Sequence, residues 1–258
     1  MESCYRNGGR VLLCMVYSVY RCSTICKRLL RKIKKGDGMN LFDILGPIMV
    51  GPSSSHTAGA TRIGYVCAKL LKDHPVKAEL LLHGSFATTG VGHGTDRALI
   101  AGLLGMLPDD ERIPHSMELA KEEGLEYTFK NVSLKDAHPN TVLIRLQSES
   151  GKQIEVQAAS IGGGRIMIHK LDGIDVNFSA GKPTLIVHNI DQPGHLSNVT
   201  SLLALKAVNI ATLQLYRDKR GGQAVMVIET DQGVPTDVIR CLEQLDGIIK
   251  VVYINIEM

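Results

Sequence analysis

The pattern of apolar and polar positions divides the chain into two regimes. From Ser55 onward, Ile63, Val66, Leu70 and Leu71 recur at three- and four-residue spacing and predict a helix over about residues 55–72. "AELLLHGSF" (78–86) reads as a strand, and Leu99, Leu103 and Leu104 predict a helix from about 95 to 106. After "PHSMELAKEEG" come four strand-like runs, "LEYTFK", "TVLIRLQS", "QIEVQAAS" and "RIMIHKL", with "SESGK" as the hairpin turn between two of them. Helices and strands are both present without the regular βαβ alternation of a doubly wound sheet, so the class is α+β.

Gly, Ser and Pro in "DGIDVNFSAGKPT" (172–184) mark a boundary. Beyond it the order is strand "TLIVHNI", helix "GHLSNVTSLLALKAV", strands "NIATLQLYR" and "GQAVMVIET", helix "PTDVIRCLEQL" and strand "IIKVVYINI". This βαββαβ order is the ferredoxin-like arrangement, two helices on one face of a four-stranded antiparallel sheet. The open edges of such a sheet favour pairing between copies, so self-association through this module is expected. The division expected is therefore 1–38 as a basic extension outside the fold, 39–175 as the first domain and 184–258 as the second.

Charge sets the first segment apart. Residues 1–38 carry nine of the 29 Lys and Arg against Glu2 and Asp37, a local balance of +7 that leaves −4 for residues 39–258. A mildly acidic body gives no support to nucleic-acid binding. The segment's apolar run is too short to span about 30 Å of hydrocarbon, and its charge follows the run instead of preceding it, unlike a secretory signal. A membrane-surface reading has only Leu29, Leu30 and the Lys/Arg run behind it, so no membrane role is assigned. Met39 opens "MNLFDILGP", which reads as a natural start, so residues 1–38 are expected to be either an appended tail or an overlong reading of the start. Four of the six cysteines, Cys4, Cys14, Cys22 and Cys26, lie there without a second pair at metal-binding spacing. Cys67 and Cys241 fall in apolar helical patterns and are expected to be core thiols of a cytoplasmic protein.

The stretch with most chemistry is "GPSSSHTAGATR" (51–62). One serine there suffices to cap the helix, a contribution of about 1 kcal/mol. Ser53, Ser54, Ser55, His56 and Thr57 exceed that need. At a helix start, where free amides and the positive end of the dipole converge, they suit a small carboxylate or phosphate. In "HGSFATTGVGHGTDRALIAGLLGM" (83–106), Gly90, Gly92 and Gly94 lack the Gly-Lys-Ser/Thr of a phosphate loop, and His93, Asp96 and Arg97 read equally as a capping group with a local ion pair. "ASIGGGRI" sets Gly162, Gly163 and Gly164 between strands, either as a tight turn or as a close backbone approach to substrate.

Two resemblances follow from these motifs. The loop "DQPGHL" within the βαββαβ order resembles ACT domains, the amino-acid-sensing modules of metabolic enzymes. It implies an effector site at a subunit interface, at Asp191, Gly194, His195 and Leu196, with Asn209 on the next strand facing them; the bland alternative is a turn and an N-cap. "FDILGPIMVGPSSSHTAGATRIG", "LHGSFATTGVGHGTDRAL" and "SIGGGRI", in that order before an ACT module, resemble the β subunit of bacterial iron–sulfur-dependent L-serine dehydratases over residues 39–258. That resemblance implies a lyase turning L-serine into pyruvate and ammonia, in serine catabolism linked to gluconeogenesis, and a heterodimer with a separate α subunit. It implies a [4Fe–4S] cluster ligated by that α subunit, with no metal ligand in this chain. Cys67 and Cys241 are too few to supply the cluster thiolates. Ser53, Ser54, Ser55, Thr57, His93 and Gly163 would bind substrate, and His56, with an ordinary pKa near ~6.5, would transfer the proton. The base could equally lie on the α subunit. The rival reading is a non-catalytic amino-acid sensor, since the same pair of modules resembles the regulatory half of some 3-phosphoglycerate dehydrogenases. His56 discriminates between them, because an anion-holding site needs donors but no titrating base.

Overall fold

The computed structural model describes residues 48–255, which lie within one compact unit, Gly46–Met258. The expectations for the basic tail and for the "FDILGP" part of the first motif fall outside the described residues. The predicted first helix is a wide turn, Ser54–Ala58, with i→i+5 hydrogen bonding, that runs into α1 (Gly59–Leu71). Ile63, Val66, Cys67, Leu70 and Leu71 form its buried stripe, as their spacing requires. A short turn, α2 (Ser85–Thr88), occupies the end of the segment expected to be all strand, because Gly84 at φ 57 ends strand β1 (Pro75–His83). Then α3 (Thr95–Leu103) returns across α1. The two helices touch backbone to backbone: a Cβ on Gly102 would sit 2.0 Å from the Thr61 carbonyl oxygen, and one on Gly64 would sit 2.3 Å from that of Leu99.

After α4 (Ser116–Glu122) come β2 (Glu126–Val132), β3 (Thr141–Ser148), β4 (Gln153–Gly162), β5 (Arg165–Leu171) and β6 (Ile174–Phe178). With β1 they make a six-stranded sheet ordered β2-β1-β3-β4-β5-β6, in which β2 runs parallel to β1 and the other neighbours are antiparallel. Ala78, Leu80, Val142, Ile144, Val156 and Ala158 pack in one core with the buried stripe of α1. The outward positions form a ladder of Lys130, Glu79, Arg145 and Glu155, exposed ion pairs of little energetic weight. β6 lies inside the boundary stretch 172–184. Ile174, Val176 and Phe178 are buried and alternate with exposed Asp175 and Asn177, a period of two that the flanking Gly, Ser and Pro obscured.

Residues Ser179–Pro183 lead into the second sheet, built from β7 (Thr184–Ile190), β8 (Ile210–Arg217), β9 (Gln223–Thr230) and β10 (Ile248–Ile254), ordered β10-β7-β9-β8 and fully antiparallel. Helices α5 (His195–Leu205) and α6 (Thr236–Glu243) pack through Val199, Leu203, Val238 and Leu242 onto Leu185, Val187, Met226 and Val251, giving the expected ferredoxin-like module. The other sheet face, Ile186, Val225, Val227, Val252 and Ile254, joins the core of the first sheet and α1. Burial on both faces explains why "TLIVHNI" is an unbroken apolar run flanking a histidine and asparagine. At the end of α1, Lys72 pairs with Glu243 and donates from Nζ to the Val251 carbonyl at 2.8 Å, tying the helix to the second module.

Cys67 is buried as expected, and burial pushes its thiol well up from the ordinary value. Cys241 is exposed, contrary to expectation: Val238 and Leu242, four apart, form the inward stripe of α6, and Cys241 falls just off it.

Candidate active site

The turn that opens α1 is built from its glycine and its first serine. Gly51, at φ 135, lets the backbone pass so close that a Cβ there would strike the Thr57 methyl at 2.5 Å. Ser53 is the cap: its hydroxyl accepts from the His56 amide at 3.2 Å, and its carbonyl accepts from the Thr57 amide at 2.8 Å. This assigns Ser53 to the helix start and leaves Ser54, whose hydroxyl makes no hydrogen bond among the described residues, as the open donor.

His56 is the centre of the cluster. Its Nδ1 lies 3.1 Å from Ser55 Oγ, and its Nε2 lies 3.1 Å from Ser85 Oγ and 3.2 Å from Thr89 Oγ1. Phe86 packs edge-on against the ring at 5.4 Å, and His93 lies tilted beside it at 5.1 Å between centroids. Thr57 is buried and donates its hydroxyl to the His93 carbonyl at 3.1 Å, which fixes the glycine-rich turn against the helix start. Burial lowers the His56 pKa first, the charge of a protonated His93 lowers it further, and a hydrogen bond to the Ser85 backbone partly opposes both. The ring is therefore neutral near pH 7, in the form able to accept a proton. Thr88, Thr89, Gly92 and His93 are exposed, so the cluster opens to the surface on that side.

Of the residues read from the sequence, Ser53, Ser54, Ser55, His56, Thr57 and His93 are brought together. Gly163 lies at the exposed tip of the β4–β5 turn, a tight turn with Gly162, Gly163 and Gly164 all at positive φ. Arg62 of α1 reaches the Gly164 carbonyl at 2.8 Å, but no hydrogen bond of the His56 cluster reaches Gly163 among the described residues. Asp96 does not cap α3: it lies in the first turn, behind Gly94 at the N-cap, and accepts only from the neighbouring Arg97 amide at 2.8 Å, and the two side chains form no ion pair among the described residues. Sequence reasoning missed Ser85, Phe86 and Thr89. Hydroxyls four apart after a glycine were the available signal, and α2 is too short to show a helical period.

In the second module, Asp191 accepts from the Gly221 amide at 3.0 Å and from Arg217 at 3.1 Å, and these bonds hold its carboxyl below the ordinary range. Gly194 starts α5 at φ 101, and Leu196 is exposed beyond it. His195 is buried, and a Cβ on Gly247 would meet its ring at 2.3 Å. Asn209 does not face this loop within the chain. The α5 crossover carries it to the opposite end of the sheet, where its amide donates to Asp231 at 2.5 Å; Arg217, at the far end of β8, is the β8 residue whose side chain pairs with Asp191.

Among the described residues no group of three or more His, Cys, Asp and Glu is placed to hold a metal ion, and Cys67 and Cys241 sit on helices of different modules. These residues do not fit an iron–sulfur cluster. Among the described residues no helix is long and apolar enough to cross a membrane.

Comparison with known proteins gives the family of the chain. Residues 40–170 match the family model "Serine dehydratase beta chain", and residues 184–247 match "ACT domain". The chain is 39% identical over 212 residues to a probable L-serine dehydratase, beta chain, of Bacillus subtilis, covering 82% of this chain and 96% of that protein. It is 43% identical over 192 residues to the L-serine dehydratase, beta chain, of Peptoniphilus asaccharolyticus, covering 74% and 86%. A D-3-phosphoglycerate dehydrogenase of Methanocaldococcus jannaschii is 26% identical over 201 residues, 76% of this chain but 37% of that protein.

Proposed function

Because the chain belongs to the serine dehydratase beta chain family, we propose that it is the β subunit of an L-serine ammonia-lyase that forms pyruvate and ammonia together with a separate α subunit. The observation that carries the reading is the His56 imidazole, ringed by the Ser55, Ser85 and Thr89 hydroxyls at the start of a long helical run, with its pKa lowered by burial. In this reading the Ser54 hydroxyl and the positive helix end hold the serine carboxylate, Ser55 lies against the His56 ring, and His56 takes the α-proton. Loss of hydroxide from the β-carbon then leaves an enamine, which tautomerises and hydrolyses to pyruvate and ammonia.

The [4Fe–4S] cluster is assigned wholly to the α subunit, and no residue described here is given a part in holding it. The ACT module is read as an amino-acid effector site around Asp191, Gly194, His195 and Leu196 and as the surface of self-association, in a cytoplasmic enzyme of serine catabolism that feeds gluconeogenesis. The sensor reading is less well supported, since a regulatory anion site has no use for a base walled in by hydroxyls. The test is reconstitution. The full chain alone should release no pyruvate from L-serine, and release should appear when a cysteine-bearing α subunit is added under anaerobic conditions. Turnover by this chain alone, or none in the assembled pair, overturns the proposal.

A further inference from the structure

The hydrogen bonds around His56 decide which ring nitrogen carries its proton. Thr89 Oγ1 lies 2.9 Å from the Ser85 carbonyl oxygen, one turn earlier, and donates its hydroxyl proton there. Toward its two other neighbours, Ser85 Oγ at 3.0 Å and His56 Nε2 at 3.2 Å, the Thr89 oxygen is then only an acceptor. A bare Nε2 would set its lone pair against those of that oxygen. A protonated Nε2 donates to it instead, and the Ser85 hydroxyl can direct its own proton to Thr89 as well. The Nε2–H, which also lies 3.1 Å from Ser85 Oγ, is shared between the two oxygens, so every contact on this side is satisfied. Nδ1 is left bare and accepts from the Ser55 hydroxyl at 3.1 Å.

From this geometry we infer that Ser85 and Thr89 are positioning residues that hold His56 as its Nε2–H tautomer, so that Nδ1, beside Ser55, is the nitrogen that accepts a proton. The functional consequence rests on the reading of His56 as the proton-transfer group; the tautomer does not. A proton removed from carbon arrives at Nδ1, the imidazolium keeps its Nε2–H bond to Thr89, and the proton later leaves from Nδ1 to water. Ser55 therefore stands between bound ligand and base, whereas Ser54 is free to hold the carboxylate. The titratable group facing the ring is His93; Ser55, Ser85, Phe86 and Thr89, which complete its surroundings, do not titrate in this range.

The test uses the full chain labelled with ¹⁵N-histidine, its His56 signals identified by their absence in His56→Gln. At neutral to mildly basic pH, Nε2 should show a pyrrole-type shift and Nδ1 a pyridine-type shift. The Ser85→Ala/Thr89→Val double variant should move both toward a tautomer mixture, and Thr89→Ser should restore the original pattern. In the assembled enzyme, Thr89→Val should lower kcat about tenfold, the scale of one lost hydrogen bond, with little change in KM. Its acid limb should move to lower pH, because an acceptor for the protonated ring is gone. A His56 ring protonated at Nδ1, or a tautomer unchanged in the double variant, overturns the inference. An Nε2–H ring in an enzyme whose His56→Gln variant keeps full kcat supports the tautomer and refutes the proton-transfer reading alone.

Discussion

The contact between α1 and α3 can be tested with a single methyl group. Gly102→Ala places a Cβ 2.0 Å from the Thr61 carbonyl oxygen, 2.6 Å from the Tyr65 amide nitrogen and 2.9 Å from Gly64 Cα, all backbone atoms that no side-chain rotation can move away. Real Cβ atoms do not come closer than about 3 Å, so the helices must part by about 1 Å, and the buried Ile63, Leu99 and Leu103 lose contact as they do. Overpacking of this kind costs about 1–3 kcal/mol and more where the backbone is rigid, while alanine's better helix propensity returns at most about 1 kcal/mol. The clash wins, leaving a net loss of about 2 kcal/mol, or about 4–8 °C in Tm for a chain of this size. Gly92→Ala is the control, since its methyl would meet nothing within 4 Å and should leave stability within about 0.5 kcal/mol. Urea unfolding and thermal melts of the three proteins decide the matter. A Gly102→Ala chain as stable as the parent would mean that propensity outweighs packing and that the helices do not meet through their backbones.

Two further predictions follow from particular side chains. Ser53→Ala removes the helix cap and should cost about 1 kcal/mol in thermal unfolding, whereas Ser54→Ala should leave stability nearly unchanged and raise KM for L-serine in the assembled enzyme. His188 is buried, and burial, aided by the charge of Lys250, lowers its pKa to about 4, so the unfolded chain binds the extra proton first as pH falls below 6.5. Stability present above 6.5 should fall by about 3 kcal/mol by pH 4 from this residue, and denaturant titrations of His188→Gln should show a correspondingly shallower loss.

The elements of both sheets were legible where periodicity was clean. Alternation in "TVLIRLQS" and the four-residue spacing of α1 each reflect a single buried face, which sequence records directly. β6 was hidden because its five residues sit between turn-forming neighbours, and the outward face of Cys241 because one position off a helical stripe looks apolar in a linear reading. The helix-start half of the candidate site, Ser53 to Thr57, is contiguous and was visible at once. The other half was not: Ser85 and Thr89 reach His56 from a one-turn helix 29 and 33 residues away, and nothing local to "HGSFATT" records that approach. Asn209 was misplaced for a topological reason, since a strand following a helix crossover begins at the end of the sheet opposite to the loop that precedes the helix.

The most direct test of the proposed chemistry is the steady-state turnover of L-serine by the His56→Ala variant assembled with its α subunit. His56 is half-buried at a surface-opening cluster, so the variant should fold and assemble, and kcat at saturating L-serine should fall by about 10²–10⁴, the range for a lost general acid or base. Turnover at the parent rate by a folded, assembled His56→Ala enzyme would contradict the account and place the proton-transfer group on the other subunit.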